Sequence, residues 1–152
     1  MDAETIINDF HSRQTTKKAD RTADRYTQDV RDWAEWLQNP GSKSFDPNNR
    51  ERASKELWEA TTHDIRTYLR QMLNHGGYAG GTVSMRESSI SVFYQEFERM
   101  AEDPGRNLPE IENPVEDLDL SGWTALKNGT KKEQNLKEGV QYLTPGEIDK
   151  LA

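Results

Sequence analysis

The stretch that decides the fold is Asp20–Gln38, DRTADRYTQDVRDWAEWLQ. Tyr26, Val30, Trp33 and Leu37 fall at i, i+4, i+7 and i+11, with Ala23 one turn earlier. That spacing puts all five on one side of an α-helix. Asn39-Pro40-Gly41 then stops the helix. Ser42 to Asn49 is rich in Pro, Ser and Asn and too long for a tight bundle connection, so it reads as an exposed loop. A short helix through Ala53, Leu57 and Trp58 is expected after it.

Further along, Thr61 and Asp64 have the form of a capping box, opening a second helix striped by Ile65, Leu69, Met72 and Leu73. Gly76-Gly77 closes it, and Gly80-Gly81 makes another break. Thr82 is then the expected N-cap of a third helix. Its stripe is Val83, Ile90, Phe93, Phe97 and Met100, with Tyr94 at the edge and Asp103-Pro104-Gly105 as the stop. Asn113 to Leu118 is expected to add a short final helix. In the other direction, Ile6, Ile7 and Phe10 make the apolar side of either a short helix or a frayed tail, and a basic, polar stretch follows.

Beyond Leu120 the periodicity dissolves. Thr144 and Pro145 look like the N-cap and first position of a helix that has barely two turns before the chain stops, which reads as a truncation. The fold class is therefore all-α, a small bundle of four main helices. It occupies residues 1–118, followed by a flexible linker at 119–141 and the first residues of a truncated further domain at 142–152.

Composition narrows the function. Hydrophobic residues make up 32% and charged residues 31%, so the core must be economical, yet the three stripes exclude wholesale disorder. No apolar run approaches the roughly 20 residues that span a bilayer, and Met1-Asp2-Ala3-Glu4 is no secretory signal. Cysteine is absent, which removes disulfides and thiolate metal sites. His11, His63 and His75 are scattered, and neither a metal site nor a cofactor site is expected. The glycine pairs do not match a phosphate loop, since no strand precedes them and no Gly-Lys-Ser/Thr follows. A cytoplasmic protein with no membrane partner is the plain expectation.

The net charge of −7 is unevenly spread. From His11 to Arg31 six basic residues stand against three acids, whereas from Ala101 to Leu120 Arg106 stands alone against seven acids. Fixed charges act over about 8 Å at physiological ionic strength, so local balance decides what a surface attracts. The acidity overall also suits a cell with concentrated internal salt, a halophilic habitat. Two groups of donors are suited to phosphate oxygens. Lys17, Lys18, Arg21, Thr22 and Arg25 lie before and within the first turns of the Asp20–Gln38 helix, Arg21 and Arg25 opposite the Trp33 and Leu37 side. Thr82, Ser84, Arg86 and Ser89 offer hydroxyls and a guanidinium at the start of the third helix. Trp33, Trp36 and Trp58 sit on or beside core stripes and are expected to pack rather than stack on bases.

The order of these elements resembles a known family. Thr22-x3-Tyr26-x2-Asp29-Val30-Arg31-x-Trp33-x2-Trp36-Leu37 looks like the first helix of the core-binding, SAM-like domain of tyrosine recombinases of the phage-integrase type. Asp64-Ile65-Arg66-x-Tyr68-Leu69 is similar to its second helix, and Gly77-Tyr78-x3-Thr82-Val83-x2-Arg86-x3-Ile90-x2-Phe93-Tyr94 to its third. Asn113-Pro114 resembles the dipeptide after that helix, and Tyr142-Leu143-Thr144-x2-Glu147-Ile148-x2-Leu151 the start of the catalytic domain. Two features depart from the pattern: Ser88, Ser89 and Ser91 stand where basic residues are frequent, and 119–141 is long for the interdomain linker. The resemblance implies a clamp on double-stranded attachment-site DNA, closed by the parent's missing catalytic domain in a homo-tetramer. The family's catalytic set, an Arg, a Lys, a His-x-x-Arg motif and a Tyr nucleophile, is not found here, so the fragment itself is expected to be no enzyme. The alternative is an acidic helical protein–protein module or a stand-alone regulator, for which the acidic 101–120 segment speaks.

Overall fold

The computed structural model describes residues 2–46, 52–120 and 123. Most of the expected linker and all of the 142–152 fragment lie outside them. Four helices follow one another: α1 (Ala3–Lys17), α2 (Asp20–Gln38), α3 (Thr62–Asn74) and α4 (Gly80–Ala101), with a 3-10 turn at Leu57–Glu59 before α3. No strand occurs among the described residues, and no helix there is long and apolar enough to cross a membrane. The all-α bundle is the one the periodicity predicts.

Helix α1 is longer than the sequence suggested. Asp2 caps it by accepting from the Glu4 amide at 3.1 Å, and it runs through the basic stretch to Lys17. Ile6, Ile7 and Phe10 are buried, and Gln14 occupies the next inward position. A polar side chain there ends the apolar pattern one turn before the helix ends. The Lys18-Ala19 link turns the chain back into α2. The two helices run antiparallel, tied by His11 to Asp24 at 2.8 Å and by Arg31 donating to Glu4 at 2.6 Å.

Along α2 the predicted inward residues Ala23, Val30, Trp33 and Leu37 are all buried, and so are Trp36 and Asp29. Trp33 and Trp36 stack 5.6 Å apart, and the Tyr68 ring of α3 tilts against both. Trp33 Nε1 donates to the Tyr94 hydroxyl at 3.0 Å, which donates onward to the Leu57 carbonyl at 2.7 Å. Tyr94 therefore belongs to the core rather than to the stripe's edge; its hydroxyl is tolerated there because both of its bonds are made.

Three local expectations are corrected. The helix expected through Ala53–Trp58 shrinks to the 3-10 turn, because the Lys55 amide bonds to the Leu37 carbonyl at the end of α2. In the same loop Arg52 lies 3.6 Å over the Trp36 ring and pairs with Asp46 at 3.0 Å. Helix α4 begins at Gly80, with Ala79 as a cap that makes no side-chain bond, so Thr82 is not the N-cap. Gly80 and Gly81 are buried in that first turn. Finally, 113–118 is a pair of hydrogen-bonded turns and not a helix. Asn113 accepts from the Val115 amide, while Thr62 donates to the Pro114 carbonyl at 2.8 Å, latching the segment to α3.

The capping box at α3 forms as read: Thr61 accepts from the Asp64 amide and Asp64 from the Thr61 amide. Gly77, at φ +71°, gives the left-handed turn that releases the chain from α3. Between α2 and α4 sits an ion cluster absent from any apolar reading. Arg86 of α4 donates to Asp32 at 2.9 Å and to the Tyr68 hydroxyl at 3.1 Å, and lies 3.6 Å from Asp29. Ser89 donates to Asp29 at 2.7 Å. These pairings fix α2 and α4 antiparallel. Burial opposes the guanidinium charge, but the surrounding Tyr68, Asp29 and Asp32 raise its pKa above the ordinary arginine value.

Two outcomes follow from this packing. Arg86→Ala strips Asp29 of its cation and leaves Asp32 with Lys43 alone, and should lower the unfolding free energy in urea by roughly 3–5 kcal/mol. Asp64 gives a pH test. Burial raises its pKa, but bonds from Lys55 and Thr61 outweigh this and hold it below the ordinary 3.8. The stability it contributes is thus present above 3.8 and lost as pH falls through the folded value. Asp64→Asn should therefore unfold more easily at pH 7, by on the order of 1 kcal/mol. The gap to the parent chain should close in melts run at pH values falling below 3.8.

Candidate nucleic-acid interface

A surface that holds phosphate needs cations that are not already spent on the protein's own carboxylates. Most of the basic residues described are so engaged. Glu96, buried on α4, collects Arg13, Lys17 and Arg99. Arg31 pairs with Glu4, Lys43 with Asp32, Arg52 with Asp46, Lys55 with Asp64 and Arg106 with Asp9. Among the described residues this leaves Lys18, Arg21 and Arg25 at the start of α2, and Arg66 and Arg70 on α3, without an ion-pair partner.

The start of α2 brings its three free cations together through helical spacing and one aromatic ring. Arg21 and Arg25 are exposed and one turn apart on the side away from Trp33 and Leu37. Tyr26, half-buried, has Arg25 5.0 Å and Lys18 5.7 Å from its ring centre. The ring's negative face holds both cations in place without neutralising them. Lys17 is exposed yet bonded to Glu96, and Thr22 is half-buried beside the cluster.

The second predicted group divides. Thr82 is exposed and Ser84 half-buried at the start of α4. Ser89 is fully buried, with its hydroxyl committed to Asp29, and does not reach the surface. The Arg86 side chain keeps only 14% of its surface, turned toward Asp29 and Asp32. Both were read as outward because α4's apolar stripe said nothing about carboxylates on the helix packed against it. Ser84, Ser88, Ser91 and Gln95 recur at i, i+4, i+7 and i+11, with Ser88 and Gln95 exposed. The row offers hydroxyls and an amide to phosphate, flanked by the half-buried Glu87 and Glu98.

Because Asp32 meets Arg86, the antiparallel register sets Thr82 one turn beyond that point and Arg25 two turns before it. At about 1.5 Å per residue Thr82 lies roughly 16–22 Å from Arg25 and Arg21 along the α2 axis, whereas Gln95, at the other end of the row, comes level with them. The acids gather elsewhere: Asp2, Glu4, Glu35 and Glu56 line one groove with Arg31, and Glu98, Glu102, Glu110 and Glu112 line another with Arg99.

Trp33 and Trp36 are fully buried and Trp58 packs against the core, as expected, so none is a platform for bases. Trp123 also rests against the core, its amide bonded to the Leu120 carbonyl. Among the described residues no three His, Asp or Glu side chains gather so as to hold a metal ion. Arg66 and Arg70 were passed over in the sequence. The signal that finds them is a helix whose single acid, Asp64, is consumed by its own cap.

Compared with known proteins, residues 8–101 match the family model described as the phage integrase N-terminal SAM-like domain. That span runs from the middle of α1 to the last residue of α4, and so includes all of α2, α3 and α4. No curated protein matches the chain, and neither does any solved structure. With the match covering well over half of the sequence, and the bundle formed as that domain requires, the chain belongs to the phage integrase N-terminal SAM-like family.

Proposed function

We propose that this domain is the DNA-gripping half of a tyrosine site-specific recombinase, holding duplex attachment-site DNA while a separate catalytic domain cuts and rejoins strands. The observation that carries the reading is the cluster of Lys18, Arg21 and Arg25. These three are exposed and unneutralised in a chain of net charge −7 that pairs most of its other cations. Thr82, Ser84 and the Ser88–Gln95 row supply the second contact. Thr82 lies roughly 16–22 Å from Arg25 and Arg21, more than the roughly 12 Å width of a major groove, which suits contacts to the backbones on its two sides. Function in the cytoplasm, on DNA, as one protomer of a homo-tetramer belongs to the same reading. The domain's part is binding and register; the covalent chemistry is assigned to the catalytic domain.

The acidic grooves favour a second reading, docking on a basic protein. Duplex binding separates the two. Titrated by fluorescence anisotropy, the chain should bind a duplex with affinity that falls linearly in log salt. Lys18→Ala, Arg21→Ala and Arg25→Ala combined should flatten the slope by about 2.7, or 0.9 per phosphate released. A wild-type chain that shows no salt-dependent binding to duplex would favour the protein partner instead.

A further inference from the structure

Helix α3 carries a surface that the recombinase reading above has not used. His63, Arg66, Thr67, Arg70 and Asn74 fall within about a 100° arc of the helix. His63, Arg70 and Asn74 are exposed, and Arg66 and Thr67 half-buried. Among the described residues none of these side chains has a hydrogen-bond or ion-pair partner. Every one can donate a hydrogen bond, and no carboxylate interrupts the arc. The helix's one acid, Asp64, is buried and held by Lys55 and Thr61. The arc looks away from α2: on the other sides of α3, Tyr68 packs on Trp33 and Trp36, and Gln71 accepts from Trp36 Nε1 at 3.0 Å.

Acids outnumber bases in the chain, and most of the described cations are drawn into pairs, so two unpaired arginines on an acid-free helix face stand out. Arg66 and Arg70 are one turn apart, about 6 Å along the axis, a spacing from which two long guanidinium side chains can reach neighbouring phosphates of one strand. We propose that the outer face of α3 is a second phosphate-binding surface, on which Arg66 and Arg70 take two successive phosphates of a duplex backbone. His63, Thr67 and Asn74 donate alongside them. The surface is separate from the α2 cluster and reads no base. The inference rests on the DNA-binding reading, but it can fail while that reading stands.

The test uses the full chain and a duplex of mixed sequence, titrated by anisotropy between about 50 and about 200 mM salt. Arg66→Ala with Arg70→Ala should lower the log–log salt slope by about 1.8, so that the affinity lost across that range shrinks by roughly twelvefold relative to wild type. The effect should be the same on an unrelated duplex. Arg66→Lys with Arg70→Lys should restore most of the slope, because a point charge suffices for phosphate. Both substitutions lie at the surface, so melting should be unchanged. An unchanged slope in the alanine variant, with wild type binding normally, overturns the proposal and leaves the α2 cluster intact. A loss of self-association in sedimentation without DNA, again with the slope unchanged, would assign the face to a protein partner. A wild type that binds no duplex sinks both readings together.

Discussion

The bundle depends on one charge placed where a purely apolar design would not put it. Arg86 reaches from α4 into the seam with α2, meets Asp29 and Asp32, and touches the Tyr68 hydroxyl of α3. An arginine buried without partners would be too costly to retain, and two facing carboxylates without a cation would be worse. Each group therefore supports the others. Arg86 and Ser89 are one turn apart, as are Asp29 and Asp32, so sliding α4 by a turn keeps only one of the two pairings. The buried apolar cluster that includes Trp33, Ile90 and Phe93 supplies the bulk of the attraction but is less exacting about register than the ion cluster.

That division explains how far the sequence was legible. The stripes of α2, α3 and α4 are periodic and long, so their existence and inward residues could be read directly, as could the Thr61–Asp64 box. Helix α1 was cut short because Gln14 takes an inward position that periodicity credits only to apolar residues. The start of α4 was misplaced because a glycine pair reads as a break, although here Gly80 and Gly81 form the helix's first buried turn. At the candidate interface Arg21 and Arg25 lie exposed on the helix side that their spacing indicated. Ser89 and Arg86 do not, because whether a polar residue on a helix faces water or a carboxylate is decided by the neighbouring helix. Arg66 and Arg70 were missed for the opposite reason. What marks them is the absence of a partner, which no local pattern records.

The same logic resolves the tension between an acidic chain and an expected nucleic-acid partner. Pairing at Glu96, Asp9, Glu4 and Asp46 removes cations from the surface field, and two grooves gather four acids each. What duplex DNA would meet at α2, α3 and α4 is a set of unpaired cations and a row of serines, with Asp20 exposed beside the first and Glu87 beside the second. Net charge averages these regions into a number that describes none of them.

The separation of engaged from free arginines also sets how the domain can change over generations. Arg86 and Arg52 are tied to the fold, and replacing either disturbs packing before it alters any contact with a ligand. The exposed cations and the Ser84–Gln95 row touch little else, and substitutions at such surface positions typically shift stability by no more than about 0.5 kcal/mol. A lineage can therefore rewrite the outer faces of α2, α3 and α4, adding a lysine or exchanging a serine, while the interior stays as it is. The scaffold is conservative and its grip is free to drift.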